Sequence, residues 1–260
     1  MSFPDRVEAI LLAGGNIESL PEGERTPPGK GLLPIGPLPM AARALRALVE
    51  SPRVERVILV SPVEAQCLGP EWVGADLVAP AGADLVQSLQ AGLARTRAPQ
   101  APVLTVAGDL PFLSSPAVTD FLGRCAGRPE ASVWYGFMRR EVSEKKFPGV
   151  RHTWARLTEG TFCGTGLVAL RPQVAERMEQ AVKWLARARK NPLRLAAILG
   201  WRTILAFALH RLTIPMAEES ARRLLGVPCA GIESPYAETA FNVDCCQTLL
   251  EARRLATRLG

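Results

Sequence analysis

In the first part of the chain, short apolar runs alternate with segments of helical periodicity. The apolar runs cover 7–12, 57–60, 75–78 and 103–107, and the helical pattern covers 39–50 and 85–93. Runs of this length are typical of strands buried in a parallel sheet. In the second helical segment we expect Asp84 to cap the N-terminus and Leu85, Leu89 and Leu93 to share one face. The alternation predicts an α/β protein with a doubly wound, mostly parallel sheet, whose ligands bind outside the carboxyl ends of the strands.

The pattern changes in the second half of the chain. Residues 131–138, 150–157 and 167–170 have the apolar content of strands, and the polar segment 141–148 is expected to be a loop. Residues 172–225 are nearly all helical in character, with breaks at glycine and proline. A short strand at 240–244 and a C-terminal helix at 247–259 complete the pattern. We predict one domain over 1–260, with a helical insertion at about 172–227 before the last strand.

The first apolar run leads into a loop that suits a phosphate. Small residues there bring the N–H groups of Ala13, Gly14 and Gly15 within reach of anionic oxygens, and Arg25 and Lys30 add positive charge. The loop matches neither of the two commonest phosphate motifs. A P-loop needs Gly-Lys-Ser/Thr at its end, and a dinucleotide-binding strand needs G-x-G-x-x-G. The missing second motif also argues against a hydride-transfer enzyme.

Composition and charge narrow the classes further. The net charge is +6 and aromatic residues make up 6% of the chain, without the basic, aromatic-interleaved stripe of a nucleic-acid surface. The six cysteines form no C-x-x-C pair, so we expect free thiols rather than zinc or disulfides. The N-terminus has no signal-peptide organisation, and the apolar stretch 195–214 is interrupted by charges. We therefore expect a cytoplasmic protein that binds no nucleic acid and has no stable membrane insertion.

The motifs L-A-G-G, K-x-L-L-P-I-G and G-D-L-P-F-L resemble those of MobA-like nucleotidyltransferases and their sugar-nucleotide and cytidylyl relatives. The glycine loop is longer here and lacks the family's R-M-G run. The resemblance implies a Rossmann-like sheet of the nucleotide-diphospho-sugar transferase type. It also implies Mg²⁺-dependent transfer of a nucleoside monophosphate from a nucleoside triphosphate to a phosphorylated small-molecule acceptor, with release of pyrophosphate. Molybdenum-cofactor and sugar-nucleotide metabolism are the settings it suggests.

The resemblance also assigns roles to residues. Asp109 and Asp244 are the implied Mg²⁺ ligands, with Asn242 as an alternative ligand, although either aspartate also suits a helix N-cap. Lys30, Arg25 and Asp109 are the implied catalytic residues. The implied nucleotide site consists of Leu12, Ala13, Gly14, Gly15, Lys30, Gly82, Ser88 and Gly108. Acceptor binding is assigned to Arg151, Thr153, Gly164 and Gly166, and an edge strand facing solvent is the alternative for the first two.

Two questions stay open at this level. The longer loop also suits a non-catalytic, nucleotide-binding or regulatory protein on the same fold, although Lys30, Asp109 and Asp244 favour an enzyme. The helical block carries apolar residues that suit a core, a homodimer interface or an apolar, lipid-like acceptor. These residues are Trp184, Leu195, Ile198, Leu199, Trp201, Ile204, Leu205 and Leu209.

Overall fold

The computed structural model describes residues 2–188 and 199–259 of the chain. The strands are β1 Val7–Leu12, β2 Pro34–Ile35, β3 Leu38–Pro39, β4 Val54–Ser61, β5 Leu77–Pro80, β6 Val103–Ala107, β7 Val133–Arg139, β8 Ala155–Leu157, β9 Gly160–Leu170 and β10 Cys229–Glu233. The α-helices are α1 Met40–Val49, α2 Leu85–Leu93, α3 Ser115–Ala126, α4 Arg140–Lys146, α5 Ala175–Ala188, α6 Trp201–Ala208, α7 Ile214–Leu225 and α8 Cys246–Leu259. No helix among these is long and apolar enough to cross a membrane.

The main sheet has eight strands in the order β10-β7-β9-β6-β1-β4-β5, with β8 beside β9. Strand β9 runs antiparallel to β6, β7 and β8, and the other pairs in the sheet are parallel. Helices α1 and α3 pack on one face of the sheet, and α2, α5 and α7 pack on the other. The predicted α/β class with a mostly parallel sheet is confirmed.

A separate apolar cluster supports the carboxyl edge of the sheet. It joins Leu33 and Ile35, which follow the glycine loop, to Phe241, Val243 and residues of α8. These side chains are buried, so the loop after β1 and the segment 240–244 are fixed against each other by packing. Segments distant in sequence thereby meet at one edge.

Some local expectations were wrong. Segment 141–148 contains most of helix α4, because Arg140 and Glu144 form an i, i+4 ion pair and Ser143 is buried. Segment 240–244 is not a strand: Val243 N–H donates to Asp109 O at 3.1 Å, outside any sheet ladder. The last strand is instead β10, whose Ala and Gly residues gave no strand signal.

Element boundaries also differ from the expected ones. Strand β9 begins at Gly160 rather than near 167, and within 150–157 the structure has a strand only at Ala155–Leu157. The side chain of Asp84 caps α2 as expected, accepting from Gln87 N–H at 2.8 Å, but Leu85 is 69% exposed rather than packed beside Leu89.

The helical block is described in part. Trp184, Leu195 and Ile198 fall outside the described side chains. Leu199 and Ile204 are partly buried, whereas the apolar side chains of Trp201, Leu205 and Leu209 are exposed, so a core role does not hold for those three. The number of domains stays a prediction.

Candidate active site

Three distant segments meet at the carboxyl ends of β1 and β6. Lys30 follows the glycine loop, Asp109 follows β6, and Asp244 precedes α8. The ammonium of Lys30 contacts Asp109 Oδ2 and lies 2.5 Å from Asp244 Oδ1. The chain therefore places one cation between two carboxylates that are far apart in sequence.

The surroundings fix the Asp109 carboxylate more firmly than that of Asp244. The side chain of Asp109 is 5% exposed, while that of Asp244 is 57% exposed. Asn242 Nδ2 donates to Asp109 Oδ1 at 3.0 Å and so restricts the orientation of this carboxylate. Ser114 caps α3 and Ser19 Oγ accepts from Cys246 N–H at the start of α8. The two carboxylates therefore face Lys30. N–H groups at the N-termini of α3 and α8 donate instead to Ser114 and Ser19.

The charge of Lys30 is maintained by its partners. Burial by itself lowers the pKa of the ammonium, but the charges and hydrogen bonds of Asp109 and Asp244 outweigh it and raise the pKa above its ordinary value. Lys30 is therefore a cation at neutral pH, held at a partly buried point of the site.

The glycine loop is closely packed against the strand ends. A Cβ on Gly31 would lie 2.6 Å from Ala13 O, and one on Gly108 would lie 2.6 Å from Leu12 O. Gly15 has a φ of +83°, a left-handed conformation that glycine adopts without strain. The conformation of the loop therefore requires glycine at these positions.

The loop amides divide into two kinds. Ala13 N–H donates to Val60 O at 2.9 Å, so the expectation that Ala13 offers its amide to an anion is wrong. Within the described part of the chain, the N–H groups of Gly14 and Gly15 have no hydrogen-bond partner. These two amides can donate hydrogen bonds to an anionic oxygen.

A cleft of about 610 Å³ opens beside the loop. Most of the expected nucleotide-site residues line it, namely Leu12, Gly14, Gly15, Lys30, Gly82, Ser88 and Gly108. Asp109, expected as a catalytic and metal-binding residue, lines it as well. Ala13 is buried beneath it, and Arg25 is exposed and is not among the lining residues. Sequence reasoning missed Asn16, Pro62, Asp84 and Leu85, which also line the cleft. Leu85 was expected on the packed face of α2, so its 69% exposure beside the cleft could not be predicted from the sequence.

Ser88 and Gly82 form one local unit. Ser88 Oγ accepts a hydrogen bond from Gly82 N–H at 3.0 Å, and Ser88 is buried. A Cβ on Gly82 would overlap the side chain of Gln87, so the loop can pass this close to α2 only with glycine. The hydroxyl of Ser88 holds the wall of the cleft in place.

The expected acceptor residues do not form one group. Thr153 and Gly164 line a second cavity, of about 340 Å³, between the sheet and α7. Arg151 lines a different hollow of about 260 Å³ beside α8. Gly166 lies against Ala107 and Leu110, where a Cβ would lie 2.6 Å from Leu110 Cδ1. The structure therefore separates Arg151 from Thr153 and Gly164.

The donor set can be tested against Mg²⁺. Among the described residues, no group of three or more His, Cys, Asp or Glu side chains is placed to hold a metal. Mg²⁺ often takes only one or two carboxylates and completes its shell with water and phosphate oxygens. Asp109 and Asp244 already hold a cationic group between them. The residues fit Mg²⁺ bound together with a phosphate ligand, and not a metal held by protein groups alone.

Comparison with known proteins places this geometry in a family context. Residues 9–226 match the family described as the MobA-like NTP transferase domain. No curated protein sequence matches the chain. A solved hypothetical transferase from Thermus thermophilus is 32% identical, with a TM-score of 0.77, covering 94% of this chain and 99% of that chain.

More distant solved structures share the fold. CMP:2-keto-3-deoxy-manno-octonic acid synthetase, solved with CTP, is 15% identical, with a TM-score of 0.60 over 98% of this chain and 100% of that chain. The 2-C-methyl-D-erythritol 4-phosphate cytidylyltransferase from Thermus thermophilus is 19% identical, with a TM-score of 0.54 over 97% of this chain and 99% of that chain. At these identities the likeness concerns the sheet and its flanking helices.

Proposed function

Because the chain belongs to the MobA-like NTP transferase domain family and is a nucleotidyltransferase, we propose that it transfers a nucleoside monophosphate to a phosphorylated small-molecule acceptor. The donor is a nucleoside triphosphate, pyrophosphate leaves, and the reaction depends on Mg²⁺. The protein acts in the cytoplasm.

The observation that carries this proposal is the cation held between two carboxylates at the rim of a cleft. Lys30 reaches both Asp109 and Asp244, and Gly14 and Gly15, whose amides are unpaired among the described residues, line the same cleft. Phosphate oxygens need such a combination of fixed positive charge and backbone donors. The cleft volume of about 610 Å³ lies in the range of small-molecule sites.

In the proposed reaction, each of these residues has a separate role. Gly14 and Gly15 donate to the triphosphate, and Lys30 neutralises charge on its oxygens. Asp109 and Asp244 would hold Mg²⁺, which would supply positive charge to neutralise phosphate oxygens. Asn242 keeps the Asp109 carboxylate in one orientation. The acceptor phosphate is already ionised at neutral pH, so the attack on the α-phosphorus needs positioning rather than a general base.

The experiment is pyrophosphate release from ATP, GTP, CTP and UTP, with and without Mg²⁺, over a panel of phosphorylated acceptors. CTP is the first donor to test, because one structural neighbour is a synthetase solved with CTP and another is a cytidylyltransferase. We expect release with one triphosphate, dependent on both Mg²⁺ and an acceptor. Mg²⁺-dependent nucleotide binding without release over the whole panel would favour the non-catalytic, regulatory alternative.

A further inference from the structure

The cavity of about 340 Å³ beside the cleft is apolar. Its walls include Tyr135 and Phe137 from β7, Phe162 from β9, and Ile214 and Ala217 from α7. Such a lining suits a hydrocarbon or aromatic group, because a polar group enclosed there would lose its hydrogen bonds to water.

The ionisable groups of the cavity wall carry no free charge. Glu218 Oε1 accepts from Gly231 N–H at 2.7 Å and pairs with Arg128 at 3.3 Å, so its carboxylate is already satisfied. Burial raises the pKa of the Cys163 and Cys229 thiols to about 11, which keeps both neutral. The cavity therefore offers no charge with which to bind a phosphate or a second ion.

The cavity adjoins the proposed reaction centre. Ala107 lines the nucleotide cleft, and a Cβ on Gly166 would lie 3.2 Å from Ala107 Cβ. Gly164, about 7 Å further along β9, lines the apolar cavity. Because β9 is antiparallel to β6, this step runs toward the carboxyl end of β6, where Asp109 lies. One strand thus connects the two spaces.

Both spaces also lie on the same face of the sheet. Gly164 pairs with Phe137 of β7, and α7, which covers the cavity, packs on the face that also carries α2. Helix α2 forms one wall of the nucleotide cleft. A molecule with its phosphate near Lys30 would reach the cavity along this face by passing Gly166, where the buried side chain of Leu110 also lies.

We propose that the acceptor is a phosphate monoester of an apolar alcohol, whose hydrocarbon part occupies this cavity while its phosphate lies at Lys30 and Asp109. This inference rests on the proposed function and names its acceptor class. The side chains of Tyr135 and Thr153 place hydroxyl groups at the cavity wall, and within the described residues neither hydroxyl has a hydrogen-bond partner. They can form hydrogen bonds with a polar atom of a ligand in the cavity. A sugar phosphate would instead bring several hydroxyls against an apolar wall.

The first test is binding of ethyl, butyl and hexyl phosphate, measured by calorimetry without nucleotide. Affinity should rise about fourfold per added methylene until the cavity is filled. Ala217→Phe, which fills the cavity from α7, should abolish that dependence, and Ala221→Leu should weaken it. Arg223→Phe adds the same ring on α7 outside the cavity and should behave like wild type. Equal affinity for the three esters, or an unchanged series in both cavity variants, would overturn the proposal.

The second test separates this inference from the proposed function. Pyrophosphate release with Mg²⁺ and the preferred triphosphate should show a kcat/KM that rises from ethyl to hexyl phosphate and exceeds that of glycerol 3-phosphate. Chain-length-dependent binding without any release would contradict the proposed reaction and leave the ligand class of the cavity intact. Efficient release with glycerol 3-phosphate and no gain from the alkyl chain would contradict the cavity's role and leave the reaction intact. Unchanged melting temperatures and triphosphate binding show that the variants fold.

Discussion

The two spaces at the carboxyl edge of the sheet differ in what forms them. The nucleotide cleft is built largely from backbone, with glycines packed against strand ends and a buried carboxylate beside Lys30. The apolar cavity is built from side chains of β7, β9 and α7. Backbone geometry depends on a few glycines and strand ends, whereas the cavity depends on which side chains meet after distant elements pack. Under our proposal, the cleft would bind the triphosphate through features that any polyphosphate requires, and the apolar cavity would select the acceptor.

The largest expected effect is on the donor side, from Asp109→Asn. The change keeps the shape of the side chain and removes the buried charge that faces Lys30. We expect kcat to fall by about 10³-fold or more, because preorganised charge at the reacting phosphates is lost. Steady-state pyrophosphate release measures this. Asp120→Asn, at an exposed ion pair on α3, is the matched control and should keep wild-type activity.

Lys30→Met should come next. The ammonium contacts both carboxylates, and its removal takes away positive charge from the phosphate site. We expect kcat/KM for the triphosphate to fall by about 10²-fold. Lys145→Met, on the exposed side of α4, is the comparison variant. A Lys30→Met enzyme with wild-type kcat/KM would show that the charge of Lys30 is structural only.

A smaller effect is expected at the wall of the cleft. Ser88→Ala removes the acceptor of the Gly82 N–H bond, and such a bond contributes about 1 kcal/mol. We expect KM for the triphosphate to rise about fivefold with little change in kcat, because the wall positions the nucleotide and not the reacting groups. Gly82→Ala should raise KM further, since the added Cβ meets Gln87. If only kcat fell in these variants, the result would show that Ser88 and Gly82 affect the reacting groups and not nucleotide binding.

The smallest expected effect is a difference in labelling rate between two thiols, Cys67 and Cys163. Burial raises the pKa of Cys163 to about 11, whereas Cys67 is exposed. At pH 8 iodoacetamide should therefore label Cys67 well before Cys163, and the rate at Cys163 should rise with pH toward 11. Mass spectrometry of the labelled protein measures both sites. Hexyl phosphate should protect Cys163 at high pH without affecting Cys67, and equal protection of the two would argue against binding in the apolar cavity.

The sequence predicts the position of a site residue well when neighbouring residues in the chain determine that position. Asp109 follows a buried strand, and the glycines follow another, so strand ends and motifs together suffice to place them. Arg25 sits in a long loop, and its neighbour Glu24 pairs with Arg253 of α8 at 2.5 Å. That long-range ion pair draws the segment toward α8. The sequence of the loop alone does not indicate this ion pair.

On the proposed acceptor side, closeness in the sequence does not predict closeness in the structure. Arg151 and Thr153 are two residues apart, yet they line different hollows, because the chain passes between α8 and the sheet at that point. The cavity also needs β10, whose short Ala- and Gly-containing segment gave no strand signal. Its apolar character emerges only when β7, β9 and α7 come together.

The most direct test of the central claim is a thermal-shift measurement with ATP, GTP, CTP and UTP, each with and without Mg²⁺, on wild type and on Asp109→Asn. A ligand that binds only the native state raises the melting temperature. We predict that one triphosphate stabilises the wild type in a Mg²⁺-dependent way and that Asp109→Asn loses the Mg²⁺-dependent part. An equal, Mg²⁺-dependent shift in both proteins would contradict the assignment of Asp109, and no shift with any triphosphate would contradict a nucleotide cleft at this edge of the sheet.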